Sequence, residues 1–114
     1  MNRHTGEGVL KYVALPDFMN RHGTVQGGFL AAMLDSATAL TLLNCLEADE
    51  TAVTRSIIVE FLRPAKPGVI HARTRVVSRN GPAAEVAGEL LDDNGVTVAT
   101  AVAKLRVLNS KPSD

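Results

Sequence analysis

The sequence predicts an α+β domain in which one long buried helix is wrapped by a single antiparallel sheet of about five strands. Three observations carry that expectation. The stretch from Gly27 to Leu46 holds thirteen apolar residues and a single charge, Asp35, which leaves a helix there almost no face for water. The pattern then changes to period two, with Val53, Arg55, Ile57, Val59 and Phe61 alternating with Thr54, Ser56, Ile58, Glu60 and Leu62. Finally, the turn signals Asn80-Gly81-Pro82 and Asp92-Asp93-Asn94-Gly95 divide the remainder into short runs of strand length.

Val9 to Leu15 reads as the first strand, closed by Pro16, whose missing N–H cannot continue a ladder. Asp17 to Gln26 reads as a loop. The helix follows over Gly27 to Leu46, and an acidic turn, Glu47 to Glu50, leads into the second strand, which ends at Pro64. Pro67-Gly68 opens the run Val69 to Ser78, followed by Ala83 to Leu91 and Val96 to Leu108. Asn109 to Asp114 reads as a frayed tail, so residues 1–114 form one domain with its core at about 9–108.

Composition narrows the function classes. Twelve Lys and Arg balance twelve Asp and Glu, and the pI of 6.8 leaves no broad basic field for nucleic acid or an anionic membrane. Cys45 is the one cysteine, which excludes an intramolecular disulfide and fits a reducing compartment. Met1 to Gly8 has no apolar signal core. The apolar run is interrupted by Asp35, Ser36, Thr38, Thr41 and Asn44 and lacks basic flanks, so it reads as a helix buried in protein rather than in lipid. The expectation is a soluble, cytoplasmic protein. His4, His22 and His71 show no metal-ligand spacing, and no metal site is expected.

One short segment concentrates the chemistry. A carboxylate in an apolar helix is costly without compensation, and the Gly27-Gly28 pair at the helix start offers backbone N–H groups to a developing anion. Lack of a side chain lets a carbonyl oxygen come close. Burial would raise the basicity of Asp35, and hydrogen bonds from Ser or Thr would oppose that. Eight residues separate Gly27 from Asp35, about 12 Å along a helix, so one helix cannot easily bring both to a single carbonyl. Two such helices, antiparallel across a two-fold axis, would place Gly27 of one copy near Asp35 of the other.

The spaced residues Asn20-x-x-Gly23-x-x-Gln26-Gly27-Gly28, with Asp35 six residues further on, resemble a motif of the phenylacetate-pathway type (PaaI-like) acyl-CoA thioesterases in the hotdog superfamily. That motif reads N-x-x-G-x-x-H-G-G-x6-D. Phe61-Leu62-Arg63-Pro64-Ala65-x-x-Gly68 looks like the second-strand ending of the same family, and the resemblance runs over residues 9 to 107. It implies a hotdog fold and hydrolysis of an acyl-CoA at a composite site in a dimer, or a tetramer of two dimers. Coenzyme A would be part of the substrate, and no further cofactor is implied.

By the same resemblance, Gly27 is the main oxyanion donor with Gly28 beside it, and Asp35 is the general base or nucleophile. Asn20 orients the nucleophile or thioester, and Thr54 positions the water. Gln26 departs from the pattern: it stands where histidine is usual, and its amide donates a hydrogen bond but does not titrate. Arg63 and Arg79, with Lys66 and Arg55, are candidates for the phosphates of the carrier. Two other classes stay open, a non-catalytic acyl-CoA binding module and a hydratase or dehydratase, though the latter lacks its expected histidine. Aryl, short-chain and medium-chain acyl groups all remain open, as does CoA against acyl carrier protein.

Overall fold

The computed structural model describes residues 1–21 and 23–109, apart from the side chain of Phe18; His22 and the tail beyond Asn109 lie outside them. In chain order the elements are β1 (Glu7–Ala14), a 3-10 turn (Pro16–Phe18), α1 (Gly27–Leu43), β2 (Glu50–Phe61), β3 (Gly68–Asn80), β4 (Ala83–Leu91) and β5 (Thr97–Asn109). The strands form one antiparallel sheet in the order β1-β3-β4-β5-β2. The strands flanking α1 in sequence thus become opposite edges, and the sheet between them covers one side of the helix. This is the expected α+β architecture.

The helix ends at Leu43, short of Leu46, because Asn44 donates to Leu40 and Leu42 and the chain turns through Cys45. Its packed face is Leu30, Met33, Leu34, Ala37, Thr38, Thr41 and Leu42. Against it lie Ile70, Ala72, Val86 and Leu90 and the small row Ala99, Ala101, Ala103 of β5, which lets the helix approach the sheet closely. The opposite face is open within one chain: Phe29 is 37% exposed, Leu40 44% and Leu43 37%. Five strands span one side of an apolar helix; they do not encircle it.

Three strands carry register shifts, β5 among them, where Leu90 pairs with Ala99 and Leu91 with Thr97 so that Val98 is passed over. In β2, Thr54 pairs with Leu105 and Ser56 with Lys104, so Arg55 is the extra residue; in β3 the shift falls between Val76 and Ser78. Beneath β1, the hydroxyls of Thr41 and Thr74 hydrogen bond to each other, and Thr74 donates to the Gly8 carbonyl at 3.2 Å. A Cβ on Gly8 would fall 2.5 Å from both hydroxyl oxygens. Gly8→Ala is therefore expected to destabilise the fold by about 1–3 kcal/mol, read as a lower urea midpoint at unchanged slope.

Candidate active site

The loop before α1 is held by Asn20. Its backbone N–H donates to Thr24 O at 2.7 Å, its carbonyl accepts from Gly23, and its Oδ1 accepts from the Thr24 N–H and hydroxyl at 3.3 and 3.2 Å. Val25 N–H then donates to Ala65 O at 2.7 Å, tying the loop to the segment after β2. This sets Gln26 in an extended conformation as the residue that caps α1, with its carbonyl accepting from Phe29 and Leu30. Its side chain is exposed, makes no capping bond and, among the described residues, donates only a long 3.5 Å contact to Met19 O.

The consequence falls on Gly27 and Gly28. They occupy the first turn, where helix geometry supplies no acceptor, and no acceptor among the described residues takes either N–H. Ser, Asp or Asn at the cap would compete for such donors, and Gln26 does not. The ring of Phe61 lies against Gly27, 3.2 Å from where a Cβ would stand.

Asp35 sits two turns further along α1. The burial expected of it from the surrounding apolar residues is not supplied by this chain: Asp35 and Ser36 are exposed, on the side of the helix that the sheet leaves uncovered. The carboxylate is nonetheless oriented, since Thr54 Oγ1 donates to its Oδ1 at 2.8 Å. The bulge at Arg55 makes that possible. Strict alternation puts Thr54 opposite Ile57, Val59 and Phe61, whereas the extra residue turns Thr54 to their side, facing α1. On the other flank Tyr12 donates its phenol hydrogen to Ser36 Oγ at 3.2 Å, so neighbouring helix residues are tied to the two sheet edges.

The structure thus brings Asp35 and Thr54 into contact, and groups Asn20, Gln26, Gly27 and Gly28 at the helix start. It does not bring these two groups together, for the helix separates them by about 12 Å. The two arginines part as well. Arg63, just past β2, donates Nη1–H to Thr97 O at 2.8 Å, while Arg79 lies at the other end of β2, bound to Glu50 at 3.3 Å and to Gly81 O. Sequence reasoning missed a cleft of about 320 Å³ lined by Arg55, Lys104 and Arg106 with Ser78 and Asn80. These cations come from β5 and from the bulge of β2, and their gathering leaves no local signal in the sequence.

Residues 22–99 match the thioesterase superfamily. The chain belongs to that superfamily. Among solved structures, this thioesterase is 39% identical to a phenylacetic acid degradation-related protein from Ralstonia eutropha JMP134, over 93% of this chain and 80% of that one, with a TM-score of 0.90. The E. coli PaaI protein of the phenylacetic acid degradation operon shares the fold at 23% identity, over 92% and 75% of the two chains, with a TM-score of 0.84. A Bacillus halodurans protein solved with CoA is 25% identical over 88% and 66%, also at 0.84. No curated protein sequence matches. The protein is thus a thioester hydrolase of the PaaI-like hotdog type.

Thioester hydrolysis asks little of such a site. A thiol has a pKa near 8.5, so the thiolate departs without a dedicated acid, and a polarised carbonyl with an activated water suffices. At the helix start Gly27 and Gly28 present backbone N–H donors, and two turns on Asp35 presents an oriented carboxylate. Among the described residues no cluster of His, Cys, Asp or Glu is arranged to hold a metal, and no helix is long and apolar enough to cross a membrane.

Proposed function

We propose that this thioesterase hydrolyses small or medium acyl- and aryl-CoA thioesters at a site shared by two copies of the chain. One observation carries the reading: a carboxylate oriented by Thr54 stands on an uncovered apolar helix face, about 12 Å from the free N–H donors of the same helix. A second copy across a two-fold axis would cover that face and supply the missing half. The edge strand β2 offers a further apolar surface on its other face, with Val53 43% and Ile58 69% exposed.

In the reaction, the acyl carbonyl oxygen accepts the Gly27 N–H, with Gly28 as second donor, and the Gln26 amide donates to the thioester. Asn20 holds the loop that sets these groups. Asp35 of the other copy takes a proton from water as the water oxygen attacks the carbonyl carbon; Thr54, donating to Asp35, retains lone pairs to accept from that water. The oxyanion collapses, the C–S bond breaks, and the proton held by Asp35 passes to the departing thiolate, giving free thiol and a carboxylic acid that loses its remaining proton to solvent. With Asp35 as nucleophile instead, an anhydride forms first and water then cleaves it. Arg63, Arg79 and the Arg55 cleft are the cations available to the carrier's phosphates. CoA as carrier, with the single free Cys45, fits a cytoplasmic protein.

Thiol release from a panel of aryl-, short- and medium-chain acyl-CoAs tests the reading. Turnover of at least one class at a kcat of about 1 s⁻¹ or more is expected. Saturable binding of a panel member without turnover of any would make the protein an acyl-CoA binding module.

A further inference from the structure

Phe61 closes β2 with an aromatic ring that is 54% exposed where α1 begins. The ring rests on Gly27 and walls a cleft of about 290 Å³ whose other apolar walls are Val25, Leu30, Leu62 and Ala65. Several polar groups of that lining are engaged elsewhere, while Arg63, which also lines the cleft, keeps guanidinium donors beyond its one bond. Val25 N–H donates to Ala65 O, Leu62 and Arg63 N–H both donate to Val98 O, Arg63 Nη1–H goes to Thr97 O, and the Thr24 hydroxyl goes to Asn20. Apart from the Arg63 guanidinium, the cleft therefore presents mainly apolar surface that ends at the free Gly27 N–H.

We propose that this cleft receives the acyl group of the thioester and that Phe61 sets the size it admits. The pantetheine arm of CoA carries two amides, which would lose their water there with Arg63 as almost their sole partner, whereas an apolar acyl group meets matching surface. The volume, about 290 Å³, falls just under the range of small-molecule sites, about 300 to 1,000 Å³. The preferred acyl group is accordingly a short chain or a single ring, with its carbonyl beside Gly27. Because the ring seats on the α-carbon of the carbonyl donor, it also fixes how deeply the acyl group enters.

This inference rests on the thioesterase reading, and its test separates the two. kcat/KM is measured for wild type, Phe61→Leu and Phe61→Ala on acyl groups from acetyl to decanoyl, each as the CoA and the N-acetylcysteamine thioester. In Phe61→Ala the ratio of long-chain to short-chain kcat/KM is expected to rise at least about tenfold with both carriers, with Phe61→Leu in between. A loss uniform across acyl groups, present with CoA and absent with N-acetylcysteamine, would give the cleft to the carrier and overturn the proposal. Unchanged selectivity with both carriers would overturn it too. If wild type turns over no thioester, calorimetry with non-hydrolysable acyl-CoA thioethers decides: a length preference that shifts in Phe61→Ala keeps the cleft assignment while hydrolysis fails. Thioethers that bind without length preference, or not at all, overturn the assignment.

Discussion

Mixing Asp35→Asn protein with Gly27→Pro protein is expected to restore about one quarter of wild-type thiol release, although each variant alone is nearly inactive. Proline suits this position. Gly27 is the first residue of α1, where an N–H has no helical partner and the proline φ is compatible, and Gln26 before it is already extended at ψ 141°. The substitution therefore removes the carbonyl donor while keeping the helix start; a Cβ there stands 3.2 Å from the Phe61 ring, which is 54% exposed and needs only a small shift to admit it. Loss of such a donor costs about 100- to 1,000-fold in kcat.

The quarter follows from counting sites. Random exchange makes half of all dimers mixed, and a mixed dimer holds one site with both intact groups and one with neither, if Gly27 and Asp35 of a site come from different copies. Should both come from one copy, no mixed dimer contains an intact site. Activity that stays at background after subunit exchange is confirmed by mass spectrometry would therefore rule out the shared site.

Asp35→Asn alone is expected to lower kcat by about 100- to 10,000-fold while the protein stays folded and still binds substrate. Asparagine keeps a carbonyl oxygen for the Thr54 hydroxyl, so the 2.8 Å contact survives and only the base or nucleophile is lost. Thr54→Val, which leaves the carboxylate and removes its donor, is expected to cost less, about tenfold in kcat with KM nearly unchanged. Thiol release at matched oligomeric state checks both. Full activity in Asp35→Asn would remove the carboxylate from the mechanism.

Much of this was legible before any coordinates. The long apolar helix, the period-two strands and the Asn-Gly and Asp-rich turns led to the observed element order, because each is a local pattern whose physical cause lies within a few residues. The candidate site was legible in part. Asn20, Gln26, Gly27, Gly28 and Asp35 fall in one segment, and their spacing alone shows that a single helix holds the donors and the carboxylate apart. The exposure of Asp35 was not legible, since an apolar helix states that it needs covering and is silent on which surface covers it. Arg63 and Arg79 looked equivalent, yet they lie at opposite ends of β2, each engaged within the chain.

By itself the sequence determined the order of elements and the clustering of donors at the start of α1, since periodicity, proline, glycine and spacing act locally. Only the tertiary structure decided that Thr54 meets Asp35 and that Phe61 meets Gly27. Both contacts depend on how β2 registers against β5, where one extra residue at Arg55 reverses the facing of everything before it. That register is set by hydrogen bonds between strands some fifty residues apart in the chain, and no alternation within β2 records it.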